Sequence, residues 1–264
     1  MPCPAPIGIF DSGVGGLSVM QKIRELLPYE DLIYFADSAY CPYGVRPPET
    51  VHYRTSALCD FMISQGVKLI VVACNTASSA SLNKLRQIYN IPIVGMEPAL
   101  KPAAKITNNK KVGILATGVT IAGERFHSLI GRYANGIKVV SQPCPGLVEL
   151  VEEGEVEGKR AEEMLKMYLS SLINENVDTI VLGCTHYPFL RPLIESIVGD
   201  QVKVIDTGEA VARRVTQVLM ENDLNTPGTI AGSEKFYTTA DPGKVYKVIK
   251  RLWNREITVK KAPV

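Results

Sequence analysis

A long-range internal repeat limits what this chain can fold into more than any other feature. The run Leu69-Ile70-Val71-Val72-Ala73-Cys74-Asn75-Thr76 has a counterpart in Thr179-Ile180-Val181-Leu182-Gly183-Cys184-Thr185-His186. Each reads as a buried strand followed by a small residue, a cysteine and polar neighbours. A second pairing keeps the same order, with Ile7-Gly8-Ile9-Phe10-Asp11-Ser12-Gly13-Val14 set against Val112-Gly113-Ile114-Leu115-Ala116-Thr117-Gly118-Val119. The spacings nearly agree: 105 residues from Ile7 to Val112 and 110 from Cys74 to Cys184. Two similar lobes are therefore expected, each carrying one thiol at the carboxyl end of a strand.

Short apolar runs alternate with helical patterns along most of the chain. Strands are expected at 7–10, 32–35, 69–72, 91–94, 111–115, 137–140, 179–182 and 202–205, with helices such as 17–27, 49–65 and 159–174 between them. This alternation predicts an α/β protein of two pseudo-symmetric, doubly wound, three-layer domains with mostly parallel sheets. Runs that are apolar at every position suit strands covered on both faces. A helix at 209–220 and a strand at 235–239 have no counterpart in the two-fold repeat, so the chain is expected to return to its first lobe. The expected domains are residues 1–97 with 208–264, carrying Asp11 and Cys74, and residues 98–207, carrying Cys184 and His186. Doubly wound sheets bind ligands beyond the carboxyl ends of their strands. Asp11, Asp37, Cys74, Thr117 and Cys184 fall at such ends and are expected to converge on an interdomain cleft.

Composition narrows the classes of function. With 264 residues, 46% hydrophobic and 21% charged, the chain has the make-up of a globular protein of one large or two ordinary domains. No apolar run approaches the ~20 residues of a membrane span. A net charge of +2 offers no electrostatic case for nucleic acid, and Lys247, Lys250, Arg251, Arg255, Lys260 and Lys261 read as a solvated helix face. Met1-Pro2-Cys3-Pro4 lacks the basic and apolar segments of a secretory signal, so a cytoplasmic location is expected. Six cysteines stand singly at 3, 41, 59, 74, 144 and 184, and without a C-x-x-C pair they are expected to be thiols. Cys59 fits helix packing beside Leu58, Phe61 and Met62, and Cys3 a loose terminus.

The glycine-rich turn Asp11-Ser12-Gly13-Val14-Gly15-Gly16-Leu17-Ser18 follows a strand and opens a helix. Its N–H groups suit an anion, with a small carboxylate the preferred ligand. Ser18 takes the third glycine place of a dinucleotide fingerprint, although Asp37 falls near where a ribose-binding acid belongs. A plain strand-to-helix turn would also explain the glycines. The thiols are the sharper signal. One cysteine alone is more often core than catalyst, but two in matched contexts call for a shared explanation. A helix start after each is expected to favour thiolate and lower its pKa from ~8.5, which suits acid/base work near neutrality. Asp11 and His186 are candidate proton assistants to Cys74 and Cys184. No metal site is expected, because Cys74, Cys184 and His186 lack an obvious fourth ligand. Paired thiols suit removal of a proton from one face of a carbon and delivery to the other. A thiol hydrolase would leave the second cysteine unexplained.

In the motifs Asp11-Ser12-Gly13-Val14-Gly15-Gly16-Leu17, Cys41-Pro42-Tyr43-Gly44, Cys74-Asn75-Thr76-Ala77 and Gly183-Cys184-Thr185-His186-Tyr187-Pro188, the chain resembles bacterial glutamate racemases over about residues 7–220. The related aspartate and hydantoin racemases share the fold and paired cysteines, but the contexts of Pro42-Tyr43-Gly44 and Cys184-Thr185-His186 are similar to the glutamate enzymes. The resemblance implies cofactor-independent interconversion of L- and D-glutamate, supplying D-glutamate for peptidoglycan. It implies Cys74 and Cys184 as the two bases, aided by Asp11 and His186, with a further site acid at Glu152 or the adjacent Glu153. Implied substrate contacts are Asp11, Ser12, Tyr43, Gly44, Asn75, Thr76, Thr120, Thr185 and His186. The expected partner is the small-molecule substrate, without nucleic acid or membrane, and the expected assembly is a homodimer. No lysine has a context that nominates it for a pyridoxal Schiff base. Read from the residues alone, three alternatives stay open: a racemase of another acidic or cyclic substrate, a nucleotide-dependent oxidoreductase, and a carboxylate-binding module with inert thiols.

Overall fold

The computed structural model describes residues 3–264, so Met1 and Pro2, which open the segment read above for a secretory signal, lie outside the described residues. The strands are β1 (Ile7–Asp11), β2 (Leu32–Ala36), β3 (Leu69–Val72), β4 (Ile93–Val94), β5 (Lys111–Ala116), β6 (Lys138–Pro143), β7 (Thr179–Leu182), β8 (Lys203–Ile205), β9 (Glu234–Thr238) and β10 (Val259–Lys261). Every ladder is parallel. They form one sheet in the order β10-β9-β2-β1-β3-β4 and another in the order β6-β5-β7-β8. The repeat is written into this topology: β2-β1-β3-β4 and β6-β5-β7-β8 have the same order, with β1 matched to β5 and β3 to β7. All positions of β1, β2, β3 and β7 are buried, the physical reason their sequences are apolar without alternation.

Helices cover the sheets. They are α1 (Leu17–Leu26), α2 (Pro48–Ser64), α3 (Asn75–Ile88), α4 (Leu100–Ile106), α5 (Gly118–Ala122), α6 (Glu124–Tyr133), α7 (Leu147–Glu152), α8 (Lys159–Asn174), α9 (Arg191–Val198), α10 (Gly208–Glu221) and α11 (Pro242–Trp253). Two short 3-10 turns cover Tyr43–Val45 and Tyr187–Leu190. The chain does return: α10 packs on α1, and β9 pairs with β2.

Several expectations are corrected. The strand expected at 91–94 is reduced to Ile93–Val94, and that expected at 137–140 runs to Pro143 as a half-exposed edge. Lys260 and Lys261 stand on the edge strand β10, whereas Lys247, Lys250 and Arg251 share α11. Cys3 is tied down rather than loose, its N–H donating to Asn225 O at 3.2 Å and its carbonyl accepting from Lys68 Nζ at 2.7 Å. The packing expected of Cys59 holds, since it is fully buried on α2.

In each sheet the central strands β1 and β3, or β5 and β7, send their connections to opposite sides, which opens a crevice beyond their carboxyl ends. Asp11 and Cys74 stand at that edge of one sheet, Thr117 and Cys184 at that edge of the other.

Candidate active site

The two edges face each other across a narrow cavity. From the first half of the chain it is lined by Ser12, Pro42, Tyr43, Gly44, Cys74, Asn75 and Thr76. Across it stand Thr117, Val148, Gly183, Cys184, Thr185 and His186. Both thiols reach it, and both are nearly closed off, at 5% exposure for Cys74 and 8% for Cys184. Cys74 caps α3, its Sγ accepting the N–H of Ala77 at 3.5 Å. Cys184 differs, because β7 leads into a 3-10 turn and the next α-helix begins only at Arg191. The expected helix start therefore holds for one thiol alone. The Asn75 amide is buried at the cavity with neither Nδ2 nor Oδ1 partnered among the described residues. Buried amides are nearly always satisfied, so these atoms are free for a ligand.

The glycine-rich turn departs from its expected use. The Ser12 and Gly16 N–H groups each donate to Asp11 at 2.7 Å, and the Val14 N–H donates to Glu152 Oε1 at 2.6 Å. The anions held there are the protein's own carboxylates, and of this turn only Ser12 lines the cavity. The glycines have a steric reason as well. A Cβ on Gly13 would lie 1.9 Å from Glu152 Oε1, and one on Gly15 would lie 2.3 Å from His186 Nδ1.

Glu152 also meets His186, Oε1 to Nε2 at 2.7 Å, while His186 Nδ1 faces Cys184 Sγ at 3.7 Å. Cys184, His186 and Glu152 thus form a chain of three. Glu153, the alternative position for the site acid, pairs instead with Arg160 on the surface. Asp11, Glu152 and Thr120 lie behind the cavity wall. Asp11 accepts from Thr185 Oγ1 at 3.2 Å, and Thr120 Oγ1 is 3.3 Å from Thr76 Oγ1.

Asp37 does not converge on the cavity as expected. It is fully buried and bonded bidentately to Arg54, with Nε to Oδ2 at 3.0 Å and Nη2 to Oδ1 at 2.9 Å. The Tyr43 hydroxyl donates to Asp37 Oδ2 at 2.5 Å, and Thr239 Oγ1 donates to Oδ1 at 2.8 Å. The carboxylate is occupied by protein, which removes the ribose-binding reading. Its contribution is indirect, since it anchors the Tyr43-Gly44 segment that lines the cavity. Thr117 was expected at this edge but assigned no contact, and Val148 carried no signal, being one apolar residue on an apolar helix.

Burial dominates the electrostatics. It pushes the Cys74 thiol well above its ordinary pKa, the Asp11 charge adds to this, and the Ala77 N–H only partly opposes it. This reverses the expectation that a helix start would lower it. Burial likewise raises Asp11, against the pull of His186 and of the Cys74 hydrogen bond. For His186 burial opposes the imidazolium, but hydrogen bonds to Cys184, Cys41 and Glu152 prevail and hold its pKa well above the usual range. Cys41 is pushed up to about 12 by burial and by the Glu152 charge.

Two parallel sheets of matching strand order, with one thiol each on a shared cavity, define a pseudo-symmetric α/β racemase architecture. The profile of the Asp/Glu/hydantoin racemase family matches residues 7–215, and the chain belongs to that family. It is 44% identical over 262 residues to a glutamate racemase of Stutzerimonas stutzeri, covering 99% of this chain and 98% of the relative. It is 49% identical over 243 residues to one of Herpetosiphon aurantiacus, covering 92% of this chain and 96% of the relative. Among solved structures, a glutamate racemase isoform of Bacillus anthracis superposes with a TM-score of 0.89 at 31% identity over 98% of both chains. The Escherichia coli glutamate racemase, in complex with L-glutamate and the activator UDP-MurNAc-Ala, gives 0.86 at 34% identity, again over 98% of both.

Proposed function

We propose that the chain interconverts L- and D-glutamate by two-base proton exchange at the α-carbon, without a cofactor, and so supplies D-glutamate for peptidoglycan. The observation that carries this is Cys74 and Cys184 lining one cavity from opposite sheets. Cys74 takes the α-proton of D-glutamate while Cys184 delivers a proton to the opposite face, and the roles exchange for L-glutamate. Each base must first be a thiolate. Cys184 passes its proton to His186 Nδ1, and the Glu152 carboxylate at Nε2 favours the imidazolium that results. Asp11, made more basic by burial, serves Cys74 in the same way. The substrate ammonium brings positive charge to this corner, which favours the Cys74 thiolate.

The substrate carboxylates meet the Asn75 amide, the hydroxyls of Ser12, Thr76 and Thr185, and the backbone of Tyr43-Gly44, with Thr120 steadying Thr76 from behind. Sheet membership supports dividing the chain into residues 1–97 with 208–264 and residues 98–207, with the cavity between the two parts. In deuterated water without added cofactor, either enantiomer is expected to yield its mirror image labelled at the α-carbon. Product without label, or turnover only when pyridoxal or a nicotinamide is added, would overturn the reading. The same reading includes a homodimer in the cytoplasm. No described helix is long and apolar enough to cross a membrane. Sedimentation of a single 28.9 kDa species at working concentration, or recovery in the membrane fraction, would contradict that part.

A further inference from the structure

Cys41 is a third thiol beside the site, and the racemisation scheme gives it nothing to do. It is only partly buried, on the segment after β2, with its Sγ 4.0 Å from the Ser12 hydroxyl. Its Sγ, a Glu152 carboxylate oxygen and a His186 ring nitrogen all lie within 4.8 Å of one another. The three donors come from separate segments, the loop after β2, the end of α7 and the turn after β7. Among the described residues Glu152 Oε2 has a single partner, Ser38 Oγ at 3.4 Å, so it keeps capacity to bind.

A tetrahedral zinc ion with bonds of about 2.3 Å to sulfur and 2.0–2.2 Å to nitrogen and oxygen sets its donors roughly 3.5 Å apart. The present limit of 4.8 Å exceeds that spacing by about 1.3 Å, so the three donors would have to close by that much around an ion. One thiolate, one imidazole and one carboxylate select zinc or cobalt over magnesium or calcium. This set differs from the grouping of Cys74, Cys184 and His186 considered from the sequence, because it leaves the cavity thiols out.

We propose that Cys41, Glu152 and His186 form a three-ligand site for a zinc-like divalent cation whose binding stops racemisation. A metal on this triad takes His186 from its place between Glu152 and Cys184, so the Cys184 proton has nowhere to go. The inhibitory half rests on the racemase reading, and the binding half stands without it.

Cobalt(II) titrated into the full-length protein tests the binding half by spectroscopy. The expected result is one equivalent bound with a sulfur-to-cobalt charge-transfer band, lost in Cys41→Ser and kept in Cys74→Ser. Zinc should displace the band and inhibit wild-type turnover reversibly, and Cys41→Ser should need at least ~100-fold more zinc, since even outer-sphere changes cost 10–100-fold in affinity. A band that survives Cys41→Ser, a band lost in Cys74→Ser, or no band at all would overturn the site. Zinc bound through Cys41 with turnover unchanged would overturn the inhibition. A metal-free protein that binds cobalt through Cys41 yet racemises nothing would sink the racemase reading and leave the site standing.

Discussion

His186 owes its position to three residues that surround it: Glu152 at Nε2, Cys184 at Nδ1, and Gly15, where any side chain would collide with the ring. Its folded pKa stands above the ~6.5 of an unfolded histidine. The stabilisation from its charged contact with Glu152 is therefore complete below about pH 6.5 and is lost as pH rises through the folded value. Glu152→Gln should accordingly lower the urea midpoint most at pH 6, and the gap to wild type should shrink at alkaline pH. A gap that is constant or widens with pH would contradict the assignment. The strand-end positions of the two cavity thiols were legible because strand-to-cysteine spacing is local. The role of the glycines was not. That Gly13 and Gly15 make room for side chains 139 and 171 positions further on is tertiary information that no local pattern carries.

Among the elements, the segment from β2 to α2 depends on one buried ion pair. Asp37 and Arg54 are 0% and 3% exposed, and Tyr43 hangs from the same carboxylate. The Arg54 guanidinium also stacks 3.9 Å from the Tyr40 ring centre. Removing one partner of a buried pair leaves an uncompensated charge and costs about 3–5 kcal/mol. Arg54→Ala is expected to lose that much in urea unfolding and to raise KM more than it lowers kcat, since Tyr43-Gly44 lines the cavity. A loss below about 1 kcal/mol with unchanged KM would show that the pair does not anchor the segment. Most strands were readable here because burial on both faces makes them uniformly apolar. β10 was not, since an edge strand reading Val259-Lys260-Lys261 carries no such signature. Asp37 was misread for a related reason: a carboxylate at a strand end looks the same whether it meets a ligand or an arginine.

For the whole molecule, the two sheets repeat one strand order, and that duplication brings a thiol to each wall of the cavity. The pseudo-symmetry was visible in the matched offsets of the sequence. The closeness of the walls was not, because contacts such as Thr76 with Thr117 at 3.1 Å and Ser18 Oγ with the Thr185 carbonyl at 2.8 Å join residues far apart in the chain. On the proposed two-base scheme neither half inverts a stereocentre alone, since each supplies a base to one face only. Replacing one thiol should therefore remove racemisation in both directions while leaving glutamate able to bind. The most direct measurement is steady-state racemisation of each enantiomer by Cys74→Ala and Cys184→Ala, with binding followed separately by calorimetry. Both variants should bind glutamate and lose at least ~10²-fold in turnover from either side, the lower end of what a positioned acid or base contributes. Near wild-type turnover by either variant would contradict the two-thiol account.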